Sequence, residues 1–271
     1  MKRILTLGFL PLVLGLAGAW LRAYELAYVF DPVTGLPSNP MAVTPVLIGL
    51  TLAGAAIFIA AALLYRPKEP HGKPGPMFLA ASSVAFAVLF GFAGYLFYQC
   101  TKAFTITQLI FGLLTLYCAA AVLTLGVKRL DGSPSSVYSV MAVAPVFWAC
   151  YALILIFRER ISDPIILDYI YLLFAFICIL LFSYCQAGYV FGRNKQRLAI
   201  VTAAMGVYFC VVELIAPVVA GFLSPGAELM KVSLEEALPL AAFLVYMPFA
   251  LQEMLHNRNR VGLDAPSKTS E

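Results

Sequence analysis

Eight apolar blocks of about 20 residues or more follow one another along the chain, with the charges gathered between them. A helix rising ~1.5 Å per residue needs about that length to cross a hydrocarbon core ~30 Å thick. Soluble domains carry about 25% charged residues. This chain of 271 residues carries 12% and is 62% hydrophobic. So few charges cannot cover a soluble globule of this size, and hydrocarbon has to be the main solvent. The predicted fold class is an all-α integral membrane protein, a polytopic helical bundle with about eight transmembrane helices.

The spans read as Ile4–Tyr28, Met41–Tyr65, Met77–Tyr98, Ile106–Val127, Val137–Phe157, Pro164–Phe191, Leu198–Phe222 and Ser233–Leu255. Between them stand breakers: Asp31-Pro32 to Asn39-Pro40, the prolines from Arg66 to Pro76, Asp131-Gly132-Ser133-Pro134, and Ser224-Pro225-Gly226. Asp163-Pro164 has the order of an N-cap and a first-position proline. Ser233 and Glu236 have capping-box spacing. One membrane domain is expected over residues 1–257, followed by a short polar tail over 258–271.

With a cytoplasmic N-terminus, thirteen of the Lys and Arg residues fall inside and five outside. A multi-pass cell-membrane protein with both termini in the cytoplasm is therefore expected, and Arg158 and Arg160 are the positives that fit least. A competing reading takes Lys2-Arg3, the apolar run and Ala17-Gly18-Ala19 as a signal peptide. Cleavage there would leave seven spans, but apolar character continues to Phe30.

Most catalytic chemistry finds no motif. There is no phosphate loop, no H-E-x-x-H and no G-x-S-x-G. His71 and His256 fall in the cytoplasmic segments. The six cysteines contain no C-x-x-C and mostly sit in apolar blocks, as small apolar residues do. Glu235-Glu236 resembles the paired glutamates of CAAX-type intramembrane proteases. However, Leu238 to Leu240 supply no arginine and the later histidines are missing, so the likeness is set aside. No enzyme, metal site or cofactor is expected.

Polar residues within apolar helices are expensive and usually face the bundle or a wet cavity. Glu213 is the sharpest of them. Pro217, four residues on, cannot donate to its carbonyl, which predicts a helix kink there. Thr202, Gly206, Cys210, Ala216 and Ala220 follow at steps of three and four and form a small-residue stripe for close helix approach. Arg22 and Glu25 stand near the outer end of the first span, on a face continuing through Gly18 and Gly15. Asp168 lies one turn into the sixth. Arg22, Asp168 and Glu213 thus fall at similar depth, among Tyr24, Tyr28, Tyr95, Tyr98, Tyr169 and Tyr171. The functional reading is a substrate- or ion-binding pocket made by Glu213, Arg22, Asp168 and Glu25, with Arg22 and Glu213 paired or sharing a cavity. The competing reading is snorkelling charges in an ordinary aromatic belt. Gln108, Thr107, Ser183 and Gln186 read as hydrogen bonds between helices.

The leading expectation is a small-solute or ion permease, or the membrane subunit of a transporter. The alternative is a non-catalytic sensor or an assembly or scaffold protein. The expected partners are the lipid bilayer, anionic lipid headgroups at cytoplasmic basic loops such as Arg193-Asn194-Lys195-Gln196-Arg197, and a partner protein or second copy. Nucleic acid is not expected, because the net charge of +4 is spread over short loops.

Overall fold

Each apolar block forms one helix. The computed structural model describes residues 2–29, 43–65, 76–131, 136–160, 166–191, 193, 195–224 and 233–256. Side chains are described for all of these except 2–8, 76, 128–131, 136–138, 160, 166–168 and 256. The helices are α1 (Lys2–Tyr28), α2 (Val43–Leu64), α3 (Pro76–Lys102), α4 (Ile106–Asp131), α5 (Ser136–Arg160), α6 (Ile166–Val190), α7 (Gln196–Leu223) and α8 (Leu234–His256). All eight are long and apolar enough to span a membrane, and no strand occurs among the described residues. The chain is an all-α polytopic membrane protein.

The helices end within a few residues of the spans read from the sequence. The larger differences are extensions: α3 continues to Lys102 and α4 to Asp131. Backbone hydrogen bonding does not stop where apolar side chains stop, so a helix runs on through its polar flank. The Ser233–Glu236 capping box is formed. The Glu236 amide donates to Ser233 Oγ, and the Ser233 amide donates to Glu236 Oε2, both at 3.3 Å. Asp163-Pro164, residues 258–271 and the basic connections around residues 66–73 lie outside the described residues. Helix α1 runs unbroken through Ala17-Gly18-Ala19, where the sequence also carried a cleavage motif.

Neighbour choice gives the bundle two parts. Helices α3, α4, α5, α6, α7 and α8 pack in that order, and α8 returns to α3, closing a six-helix ring. Outside it, α1 and α2 pack on each other and on α7. Helix α7 is therefore shared. The stripe residues Thr202, Gly206, Cys210, Ala216 and Ala220 are all buried in it. Lipid tails are as apolar as leucine, so helices gain by close van der Waals approach rather than by hiding from water. Glycine permits that approach. A Cβ on Gly15 would lie 2.9 Å from Val211 Cβ, and one on Gly206 would lie 2.9 Å from Met247 Sδ of α8.

Aromatic side chains fill the ring. Trp148 of α5 stacks on Phe111 of α4 at 6.0 Å and on Phe243 of α8 at 5.3 Å between ring centroids. Its indole Nε1 donates to Thr115 Oγ1 at 2.9 Å, which satisfies the one polar atom of a fully buried side chain. Nearer the end where α8 finishes, Gln186 Nε2 donates to Tyr246 Oη at 2.5 Å. Large apolar side chains such as Leu52, Leu64, Phe157 and Phe222 point outward, as a lipid-facing surface requires.

Candidate functional site

The end of the bundle where α1, α3, α5 and α7 finish, here called the distal end, carries two separate polar groupings. The first joins the α1–α2 pair to α7. Arg22 Nη1 donates to Glu25 Oε2 at 2.6 Å, and both side chains are all but sealed, at 4% and 2% exposure. Thr44 of α2 donates its hydroxyl to the other Glu25 oxygen at 2.5 Å. The Arg22 guanidinium sits 5.3 Å from the Tyr171 ring centroid on α6. One turn or more below, the hydroxyls of Thr51 on α2 and Tyr208 on α7 share a hydrogen bond of 2.9 Å. Gly18 makes room for this, since a Cβ there would stand 2.8 Å from Tyr208 Oη.

The snorkelling reading of Arg22 is therefore overturned, because a buried guanidinium in an ion pair is not reaching for the headgroups. Its partner in that pair is Glu25, three residues along its own helix, a contact the sequence reading did not single out. Glu213 is half-buried, within electrostatic reach of Cys210 one turn earlier, and is not free. Pro217 lies inside α7, which continues through it to Leu223. Position 168 is one turn from Tyr171 on α6 and so falls near the level of Arg22; the Asp168 side chain lies outside the described residues. The tyrosine layer divides. Tyr24, Tyr28 and Tyr98 are exposed, as belt residues are, while Tyr171 is buried beneath Arg22.

The second grouping surrounds a cavity of about 150 Å³ in the distal mouth of the ring. Its polar wall comes from three places far apart in the chain: Thr105 and Gln108 at the start of α4, Arg158 and Glu159 at the end of α5, and Ser233, Glu235 and Glu236 at the start of α8. Thr105 Oγ1 donates to Gln108 Oε1 at 2.6 Å, and the capping box ties Glu236 to Ser233. Glu235 is thus the acidic residue in the first turn of α8 not committed to the cap, and it lies within electrostatic reach of Glu159 and Glu236. The floor is apolar, with Leu96, Phe111, Ile156 and Phe176. Beneath it lies Trp148, which Phe111 and Phe176 both contact. Glu213, Arg22 and Glu25 are not among the described residues that line this cavity.

The signals that could have found the cavity were present but scattered. Glu235-Glu236 stood out as a pair, and Arg158 was the charge that fitted least with the topology. Each made sense alone as a cap or a loop charge, and only ring closure brings them together. Among the described residues no three His, Cys, Asp or Glu side chains converge to hold a metal ion. No family model matches the chain, and no curated protein or solved structure matches it.

Proposed function

We propose that the chain is a small-solute permease whose solute binds in the distal mouth of the six-helix ring. The observation that carries this reading is the cavity itself. It lies between α3, α4, α5, α6 and α8 and combines a charged and hydroxyl-bearing wall with an aromatic floor. Binding sites for small molecules are concave, mostly apolar and set with a few polar groups. The positive-inside count turns this mouth to the exterior.

In this reading the Phe111–Trp148–Phe243 stack is the barrier between the cavity and the other end of the ring. Helix α8 is the element suited to move. Pro239 and Pro248 lie within it. Each removes one backbone hydrogen bond, so the carbonyls of Glu235 and Leu244 lack their helical donors and the helix bends more easily there. Bending α8 at Pro239 would displace Glu235 from the cavity wall and, further along, Phe243 from the stack. Arg22 and Glu25 take a different part: they tie α1 to Thr44 of α2 and to the Tyr171 ring of α6.

The test is uptake by purified protein in liposomes, using a panel of labelled amines, amino acids, sugars and carboxylates. Saturable uptake of at least one solute, reduced several-fold by Glu235→Gln, is expected. If nothing crosses above protein-free liposomes and a protein partner co-purifies tightly instead, the permease reading is lost and the assembly-factor reading gains.

A further inference from the structure

We infer that the solute of the ring-mouth cavity is a small organic cation, an ammonium or guanidinium compound no larger than a benzene-sized body. This rests on the cavity being the solute site and adds the chemical class.

Three features of the cavity fix that class. The first is size. A cavity of about 150 Å³ is the volume that admits benzene in a well-studied engineered case. That excludes sugars, nucleosides and most peptides as fully enclosed solutes.

The second is charge. Among the described residues, Glu159, Glu235 and Glu236 contribute three carboxylates to the lining, and Arg158 contributes one guanidinium. The helix N-termini of α4 and α8 also open here, each equivalent to roughly half a positive charge. Together they offset about two of the carboxylates, so the described lining keeps a negative balance. Low-dielectric walls focus such a field into the cleft.

The third is the floor. Phe111 and Phe176 present ring surface beneath the carboxylates, and these rings are buried and held by Trp148. An aromatic surface under an acidic wall suits a cation that is both charged and apolar, because the ring quadrupole attracts a positive charge and the alkyl groups displace water. A bare metal ion gains little from such a floor. It also needs converging ligands, and no three acidic, thiol or imidazole side chains converge in that way among the described residues. The capping box sharpens the assignment within the wall. Glu236 spends its carboxylate on the Ser233 amide, so Glu235 and Glu159 are the counter-charges for the solute.

The experiment measures binding to full-length protein in detergent by isothermal titration, with choline, its neutral isostere 3,3-dimethylbutan-1-ol, and pivalate as the anionic control. Choline should bind saturably and more tightly than the isostere by about tenfold, the ratio one partly screened charge contact produces. Glu235→Gln should remove most of that preference while leaving the weak binding of the isostere unchanged. Phe176→Leu, which keeps an apolar side chain but removes the ring, should weaken choline about threefold more than it weakens the isostere. Equal binding of choline and isostere, tighter binding of pivalate, or an undiminished preference in Glu235→Gln that elutes like wild type would each overturn the proposal. Absence of binding by all three probes would also overturn it. The liposome assay separates this from the permease reading. Choline that binds with the expected preference but is not carried leaves the cation site standing and removes transport. Saturable carriage of a neutral or anionic solute does the reverse.

Discussion

Gly18→Ala adds one methyl group at the seam between α1 and α7, and its effect can be worked out atom by atom. The new Cβ would meet Tyr208 Oη at 2.8 Å, Val212 Cγ2 at 3.0 Å and Tyr208 Cε2 at 3.1 Å, where ordinary contact begins at 3.4 Å. Tyr208 must therefore move by about 0.6 Å relative to α1, the difference between those two distances. It has little room to do so, being 1% exposed in the main core. Overpacking of this kind costs about 1–3 kcal/mol. The displaced oxygen is also the one bonded to Thr51, and losing that bond adds about 1 kcal/mol. Against this stands the better helix propensity of alanine, about 0.5–1 kcal/mol. The net expectation is destabilisation of about 1–3 kcal/mol, measured by unfolding titration of purified protein in mixed detergent micelles. Gly91→Ala and Gly94→Ala are the internal controls. No atom lies within 4 Å of a Cβ at either position, so both should be neutral or slightly stabilising. In a Thr51→Val background the Gly18→Ala cost should shrink, because the bond it disturbs is already gone. A Gly18→Ala protein as stable as Gly91→Ala would refute the close approach of α1 and α7 as described.

Three further outcomes follow from the same packing. Arg22→Leu should destabilise by about 3–5 kcal/mol, because it leaves the buried Glu25 carboxylate with only the Thr44 hydroxyl; adding Glu25→Leu should recover part of that loss, and strict additivity in the double-mutant cycle would remove the pairing. Thr115→Val strands the Trp148 indole N–H inside the ring and should cost about 1–3 kcal/mol by the same titration, whereas Thr115→Ser should cost much less. Cys100 is half-exposed close to the distal end of α3, so a membrane-impermeant thiol reagent applied to intact cells should label wild type and not Cys100→Ser; persistent labelling of the variant would reverse the orientation derived from the basic residues.

The helices were legible in the sequence because their solvent is chemically extreme. A residue either belongs in hydrocarbon or ends the span, so Tyr28, Ile106 and Leu223 mark helix ends to within a residue of the reading from sequence. The small-residue stripe of α7 was legible for a related reason. Glycine, alanine, cysteine and threonine at steps of three and four have little use on a lipid face, and all five are buried. Neighbour choice was not legible. Nothing in the spacing of Glu235 says that α8 closes the ring onto α3 and sets its start across the mouth from the end of α5, so Glu235 and Glu159 remained unrelated charges until the structure brought them together. Depth along the chain placed Arg22 in a polar layer, but it did not point to Glu25 as an ion-pair partner. Depth is a one-dimensional coordinate, whereas a side chain three residues along the same helix is always within reach.

The Arg22–Glu25 pair has a consequence for how the protein is made. A chain enters the membrane from its N-terminus, and α1 is complete at Tyr28 long before α7 begins at Gln196. An arginine that depended on α7 for its countercharge would wait in lipid through the synthesis of five intervening helices. With its carboxylate in the next turn, Arg22 enters the bilayer already paired with Glu25. Thr44 then arrives with the next helix made and takes the second carboxylate oxygen. Tyr171 comes later to cover the guanidinium, and Tyr208 last, to bond Thr51. The polar cluster is built in the order in which the ribosome delivers its parts, and at no stage does the bilayer hold a lone charge from this site.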